Sequence, residues 1–101
     1  MPVSQTVSDD GKQVSITISD RFDFSIHREF RAAYEGTAGP GARYYIDLSR
    51  ATYMDSSGLG MLLLLRDFAG GDKADITIAN APPEIYRVLE IANFHQIFKI
   101  A

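Results

Sequence analysis

Residues 44–65 read YYIDLSRATYMDSSGLGMLLLL, and the way this stretch divides decides the fold. Tyr44 to Leu48 are aromatic and aliphatic residues of the kind that suit a strand. Asp55-Ser56-Ser57-Gly58 follows as a turn, with side-chain oxygens able to accept from the free N–H groups of a first helical turn. From about Ser57 the chain predicts a helix that runs to Ala69 and stops at Gly70-Gly71. One feature is odd. A helix on the outside of a small domain should have one apolar face and one polar face. This one is apolar nearly all round until Arg66 and Asp67.

Working outward, Ala74 to Ile78 alternates as a strand, and Pro82-Pro83 opens a helix with Ile85, Val88, Leu89 and Ala92 on one face. A last short strand is expected at Phe98 to Ile100. Toward the N-terminus, Val14, Ile16 and Ile18 alternate with Ser15, Thr17 and Ser19 as a half-buried strand. Asp9-Asp10-Gly11-Lys12 is a turn signal, which makes Val3 to Val7 its pairing strand. The segment FDFSIHREFRAAYEG carries Ile26, Phe30, Ala33 and Tyr34 at helical spacing, with Ser25 as expected N-cap and Gly36 as its stop. The order is β-β-α-β-α-β-α with a possible final strand. Strands separated by helices pair in parallel through right-handed crossovers. The expectation is an α/β fold: one small mixed, largely parallel sheet with helices packed on it. Residues 1–101 read as a single domain without repeat, low-complexity tract or linker.

Composition narrows the functional classes. The 101 residues are 46% hydrophobic and 23% charged and contain no cysteine, which excludes disulfides and thiolate metal sites. MPVSQTVSDDGK lacks the basic and apolar regions of a signal peptide. The longest apolar run, Met61 to Leu65, is far short of a membrane span. A soluble, cytoplasmic protein without membrane insertion is expected. The net charge is -3 and the ten Lys and Arg residues are scattered, so no basic stripe is available to follow a nucleic acid.

Catalysis finds little support. DSSGLG departs from the G-x-S-x-G pattern of a nucleophile elbow. His27 and His95 are the only histidines, and both read as surface or packing residues. No P-loop lysine and no metal-ligand spacing occur. No catalytic residue, cofactor or metal is expected. The Asp55–Gly58 turn reads instead as a regulated surface, because α/β folds place functional loops where strands end, and helix N-termini accept anions. The plainer alternative is that Asp55 or Ser56 only caps the helix.

Residues 47–60, DLSRATYMDSSGLG, resemble the signature of anti-sigma factor antagonists of the STAS domain family. In that family an aspartate-serine-serine (or threonine)-glycine turn follows a strand and opens a helix. The resemblance extends over nearly the whole chain through element order and length, and DRFDF, residues 20–24, stands where the family often has a Gly-Glu-Leu-Asp-like segment. The chain departs from the pattern at Asp20-Arg21-Phe22. By motif position, the resemblance implies that Ser56 is a phosphoacceptor and that Asp23 is its acidic companion. It further implies a non-enzymatic module that sequesters an anti-sigma factor, or a serine kinase with an ATP-binding fold, while Ser56 is unphosphorylated, with a serine phosphatase resetting it. A second role found among similar domains is that of an accessory subunit of a transporter ATPase.

The helix after the turn has two overlapping apolar stripes when wound at 100° per residue. Leu59, Leu62 and Leu63 continue into Arg66 and Ala69; Met61, Leu64, Leu65 and Phe68 form the other. Periodicity alone favours burying the second stripe, because Arg66 interrupts the first. The family resemblance implies the reverse, with Leu62, Leu63 and Ala69 in the core and Arg66 reaching solvent along its stem. On that reading Met61, Leu64 and Phe68, with Asp23, Asp55, Ser57 and Gly58, are the expected partner-binding residues.

Overall fold

The computed structural model describes residues 2–101. Strand β1 (Val3–Val7) turns back into β2 (Gln13–Phe22), and α1 (His27–Glu35) leads to β3 (Arg43–Met54). Helix α2 (Ser56–Phe68), β4 (Asp75–Ala79), α3 (Pro83–Ile91) and β5 (Lys99–Ile100) complete the order. Spatial order equals chain order, β1-β2-β3-β4-β5. The β1–β2 pair is antiparallel and the other three are parallel, so the expected mixed, largely parallel sheet is what forms.

Register explains the single-sided core. Val14 lies beside Tyr44 and Tyr44 beside Ile76; Ile16, Ile46 and Ile78 form the next row. These side chains are buried, and with successive residues pointing to opposite faces they define one apolar face. Every crossover advances in the same direction across the sheet, so right-handed connections put all three helices on that face. The buried residues of α1, α2 and α3 accordingly join the sheet residues in one cluster. The opposite face presents Ser15, Thr17, Tyr45, Asp47 and Thr77, none of them fully buried.

Two strands are longer than the sequence pattern predicts. The β2–β3 register shifts between Thr17 and Ser19 and again between Asp20 and Arg21, and each shift adds one β3 residue. Buried positions on β3 consequently run Leu48, Ala51, Met54 instead of alternating. That hides residues 49–54 from a search for period two. Asp20, at φ 64, takes the left-handed conformation at this irregularity, which aspartate tolerates better than most residues. In the first helix the expected cap is also corrected. Asp23, not Ser25, caps a short 3-10 turn (Phe24–Ile26) that precedes α1. Asp23 precedes the turn and holds its N–H, so Ser25 already lies inside the turn it was expected to open.

Helix α2 is rotated relative to expectation. Its buried residues are Gly58, Met61, Leu62 and Leu65, continued by Ala69 beyond its end. Leu62 and Ala69 are in the core as expected, but Leu63, expected there, is 40% exposed. Met61, expected on the free stripe, is only 6% exposed. The reason lies at Gly58, where a Cβ would come within 2.5 Å of the Phe22 carbonyl oxygen. The helix backbone approaches the end of β2 through that glycine, and the seam at i, i+3, i+4 and i+7 from it becomes the buried one. Leu64 is 59% exposed. Phe68 is half-buried against Tyr34, with ring centroids 5.2 Å apart. Arg66 does reach outward, donating from Nη2 to Asp72 at 2.9 Å, while its buried Nε has no hydrogen-bond partner among the described residues.

Candidate functional site at the ends of β2 and β3

The two central strands end in the same way. Residues 21–25 read RFDFS and residues 53–57 read YMDSS. Parallel pairing sets Arg21 beside Tyr53 and Phe22 beside Met54, so the next residues, Asp23 and Asp55, leave adjoining strand ends. Neighbouring strands are about 4.8 Å apart. Phe22 and Met54 point into the core and anchor both ends. The aspartates are both extended, at φ -137, ψ -172 and φ -128, ψ -169, and each caps the turn that follows.

Asp55 Oδ1 accepts from the backbone N–H of Ser57 at 3.0 Å and of Gly58 at 3.3 Å, and from the Ser57 hydroxyl. Its Oδ2 accepts from the Tyr53 hydroxyl at 3.3 Å. Asp23 repeats the arrangement: Oδ1 accepts from the Ser25 N–H at 3.0 Å and from the Ser25 hydroxyl. Here Oδ2 takes the Arg21 Nε–H at 2.9 Å. The Ser57 hydroxyl, ahead of the Gly58 and Ser57 N–H groups, holds the Asp55 carboxyl below the usual carboxylate range. The Ser25 hydroxyl and then Arg21 do the same for Asp23. Two ionised carboxylates therefore stand side by side at neutral pH.

This cap uses Asp55 and Ser57 and leaves Ser56 exposed, its hydroxyl taking no part. Among the expected site residues, Asp23, Asp55, Ser56, Ser57 and Gly58 come together at this corner. Leu64 and Phe68 lie further along α2, where they line a shallow groove with Arg31, Tyr34 and Glu35. Met61 belongs to the core and Gly58 is buried against the end of β2, and that corrects their expected places on the partner surface.

Three residues of the corner escape sequence reasoning. Phe24 holds the position equivalent to Ser56, is 64% exposed, and stacks on His27 with centroids 4.0 Å apart. Tyr53 is exposed, and the Arg21 guanidinium lies over its ring at 4.0 Å. The signal was the shared D-x-S of residues 23–25 and 55–57, which marks two equivalent caps once both segments are known to end strands.

A family model described as "Mlab, STAS domain" matches residues 5–100, and the chain belongs to the STAS domain family. A STAS-domain containing protein of Pseudomonas aeruginosa (strain UCBPP-PA14) is 52% identical over 101 residues, covering all of both chains. The fold is that of the anti-sigma factor antagonist SpoIIAA in its unphosphorylated form, with a TM-score of 0.70 at 17% identity over 98% of this chain and 86% of that one. The phosphorylated form of the Bacillus cell fate determinant SpoIIAA superposes with a TM-score of 0.66 at 17% identity, covering 98% and 90%. An anti-sigma factor antagonist from Mycobacterium paratuberculosis gives 0.72 at 16% identity, covering 97% and 84%. Among the described residues, no helix is long and apolar enough to cross a membrane.

Proposed function

We propose that the protein is an anti-sigma factor antagonist working as one phosphorylation-switched, cytoplasmic binding module with no reaction of its own. Unphosphorylated, it sequesters an anti-sigma factor that is also a serine kinase with an ATP-binding fold. The kinase transfers the γ-phosphoryl group of ATP to Ser56 Oγ, releasing ADP and the hydroxyl proton, and the complex separates. A serine phosphatase hydrolyses the ester with water and returns inorganic phosphate.

The observation that carries this reading is the division of labour in the Asp55 cap. Ser57 is consumed by it, whereas Ser56 stays exposed at the first position of α2. The partner surface extends from Ser56 to the exposed Leu63 and Leu64, the outer edge of Phe68, and the neighbouring Asp23 and Phe24. Exposed leucines and a phenylalanine beside a polar switch are what a reversible interface requires. Phosphate adds about -1.5 to -2 charges beside two carboxylates, in a surface that is desolvated on docking. A loss of roughly 3 kcal/mol weakens binding more than a hundredfold.

A second reading, a STAS accessory subunit held permanently to a transporter ATPase, draws on the same exposed leucines, since permanent interfaces are the more apolar ones. One experiment separates them. Wild type, Ser56→Ala and Ser56→Asp are used for affinity purification, with partners and phosphosites identified by mass spectrometry. Loss of a kinase-type anti-sigma factor from Ser56→Asp alone supports the switch. The same transporter ATPase on all three supports the permanent subunit.

A further inference from the structure

Phosphorylated Ser56 would stand beside Asp23 and Asp55, both held ionised, and an uncompensated dianion there would be repelled by its own molecule. The cation at this corner is Arg21. It occupies the register position beside Tyr53, three residues before Ser56, and the centre of its guanidinium lies 4.0 Å from the centroid of that ring. Its one ion pair runs from Nε to Asp23, and the side chain is 59% exposed. Among the described residues its Nη groups pair with no carboxylate, and the Tyr53 hydroxyl is a weaker neighbour that also favours the charged guanidinium. A donor pair suited to bidentate recognition of an oxyanion can therefore turn to one.

We propose that Arg21 is the internal receiver of the Ser56 phosphate: on phosphorylation its guanidinium leaves Asp23 for the phosphoryl oxygens, pivoting on the Tyr53 ring. This rests on the reading of Ser56 as a phosphoacceptor and adds a second element to it. Phosphorylation then changes more than charge, because it also frees the outer oxygen of Asp23 and re-aims the cation that covers Tyr53. A dianionic phosphate outcompetes a carboxylate for a guanidinium, which gives the exchange its direction. Arg21 is a positioning residue here, acting on the phosphate that another protein installs.

The test installs phosphoserine at position 56 of the full chain by genetic encoding, so that it does not depend on any kinase. The second ionisation of the phosphate is followed by phosphorus NMR in wild type, Arg21→Gln and Arg21→Lys. The phosphate in wild type is expected to titrate at a pH about 0.5 lower than in Arg21→Gln, because a nearby cation favours the dianion. Arg21→Lys should restore part of the difference, and high salt should shrink it. Asp23, Asp55, Tyr53 and His27 are common to all three proteins, so the difference reports the guanidinium. Superimposable titrations of wild type and Arg21→Gln overturn the proposal. A cell in which Ser56 is never phosphorylated would overturn the switch while leaving this measurement intact.

Discussion

Gly58 and Phe22 meet backbone to backbone: a β-carbon on Gly58 would sit 2.5 Å from the Phe22 carbonyl oxygen and 3.1 Å from the Met54 Cγ. The glycine that follows the two serines is therefore explained by packing. It lets the first turn of α2 rest on the end of β2, and so holds the Ser56 and Asp23 turns side by side. Gly58→Ala is expected to cost about 1–3 kcal/mol, the usual penalty for overpacking, since the atom in the way is backbone and cannot rotate aside. Chemical denaturation measures it. An unchanged midpoint would mean that α2 can move away from β2 freely.

The rotation of α2 divides its leucines into two groups. Leu62→Ala and Leu65→Ala remove fully buried side chains and should each cost about 2–5 kcal/mol, with Met61→Ala behaving alike. Leu63→Ser and Leu64→Ser should move stability by less than about 0.5 kcal/mol. Partner binding should show the opposite ranking. Denaturation curves paired with a binding titration test both halves, and a large stability loss from Leu64→Ser would place the free face elsewhere.

The two serines of the turn should respond differently. Ser57→Ala removes a hydroxyl that donates to Asp55 and is expected to lower the melting temperature. Ser56→Ala should leave it unchanged and abolish labelling by a cognate kinase. Phosphopeptide mapping that finds phosphate on Ser57 alone would reverse the roles.

Acid should loosen this corner. Asp23 and Asp55 have folded-state values below the ordinary one, so the unfolded chain takes up their protons more readily. Their stabilisation is complete above the unfolded value of about 3.9 and is lost as pH falls through the lower folded values. Asp10 and Asp47 shift in the same direction, so the comparison must be made against a variant. Asp55→Asn keeps a capping oxygen but cannot titrate. Its urea midpoint should decline less between pH 5 and about pH 2 than that of wild type. Parallel declines would remove Asp55 from the acid response.

Element types and their order were legible because hydrophobic period, proline and glycine mark the start or body of each element. The Ser56 turn was legible through its D-S-S-G spacing. The outer halves of β2 and β3 were not, since two extra residues in β3 break the alternation that marks a strand. Nor was the face of α2: five consecutive apolar residues offer several seams, and the choice is made by Gly58 meeting Phe22, a contact between segments 36 residues apart in number. Arg21, Tyr53 and Phe24 belong to the site only because parallel pairing brings two strand ends together, which local patterns do not record.

A sheet whose spatial order is its chain order has a kinetic meaning. Each strand docks on an edge that the preceding segment has already made, and no strand has to wait for a distant one to be inserted between its neighbours. Each parallel pairing still closes a long loop, 30 residues from Val14 to Tyr44 and 32 from Tyr44 to Ile76, which slows assembly, but no closure spans more than one crossover helix. The sheet can grow strand by strand as the chain leaves the ribosome, with α1 and then α2 covering each new pair. Pulsed hydrogen exchange during refolding should find β2 and β3 protected before β5, and β5 protected first would exclude this order of assembly.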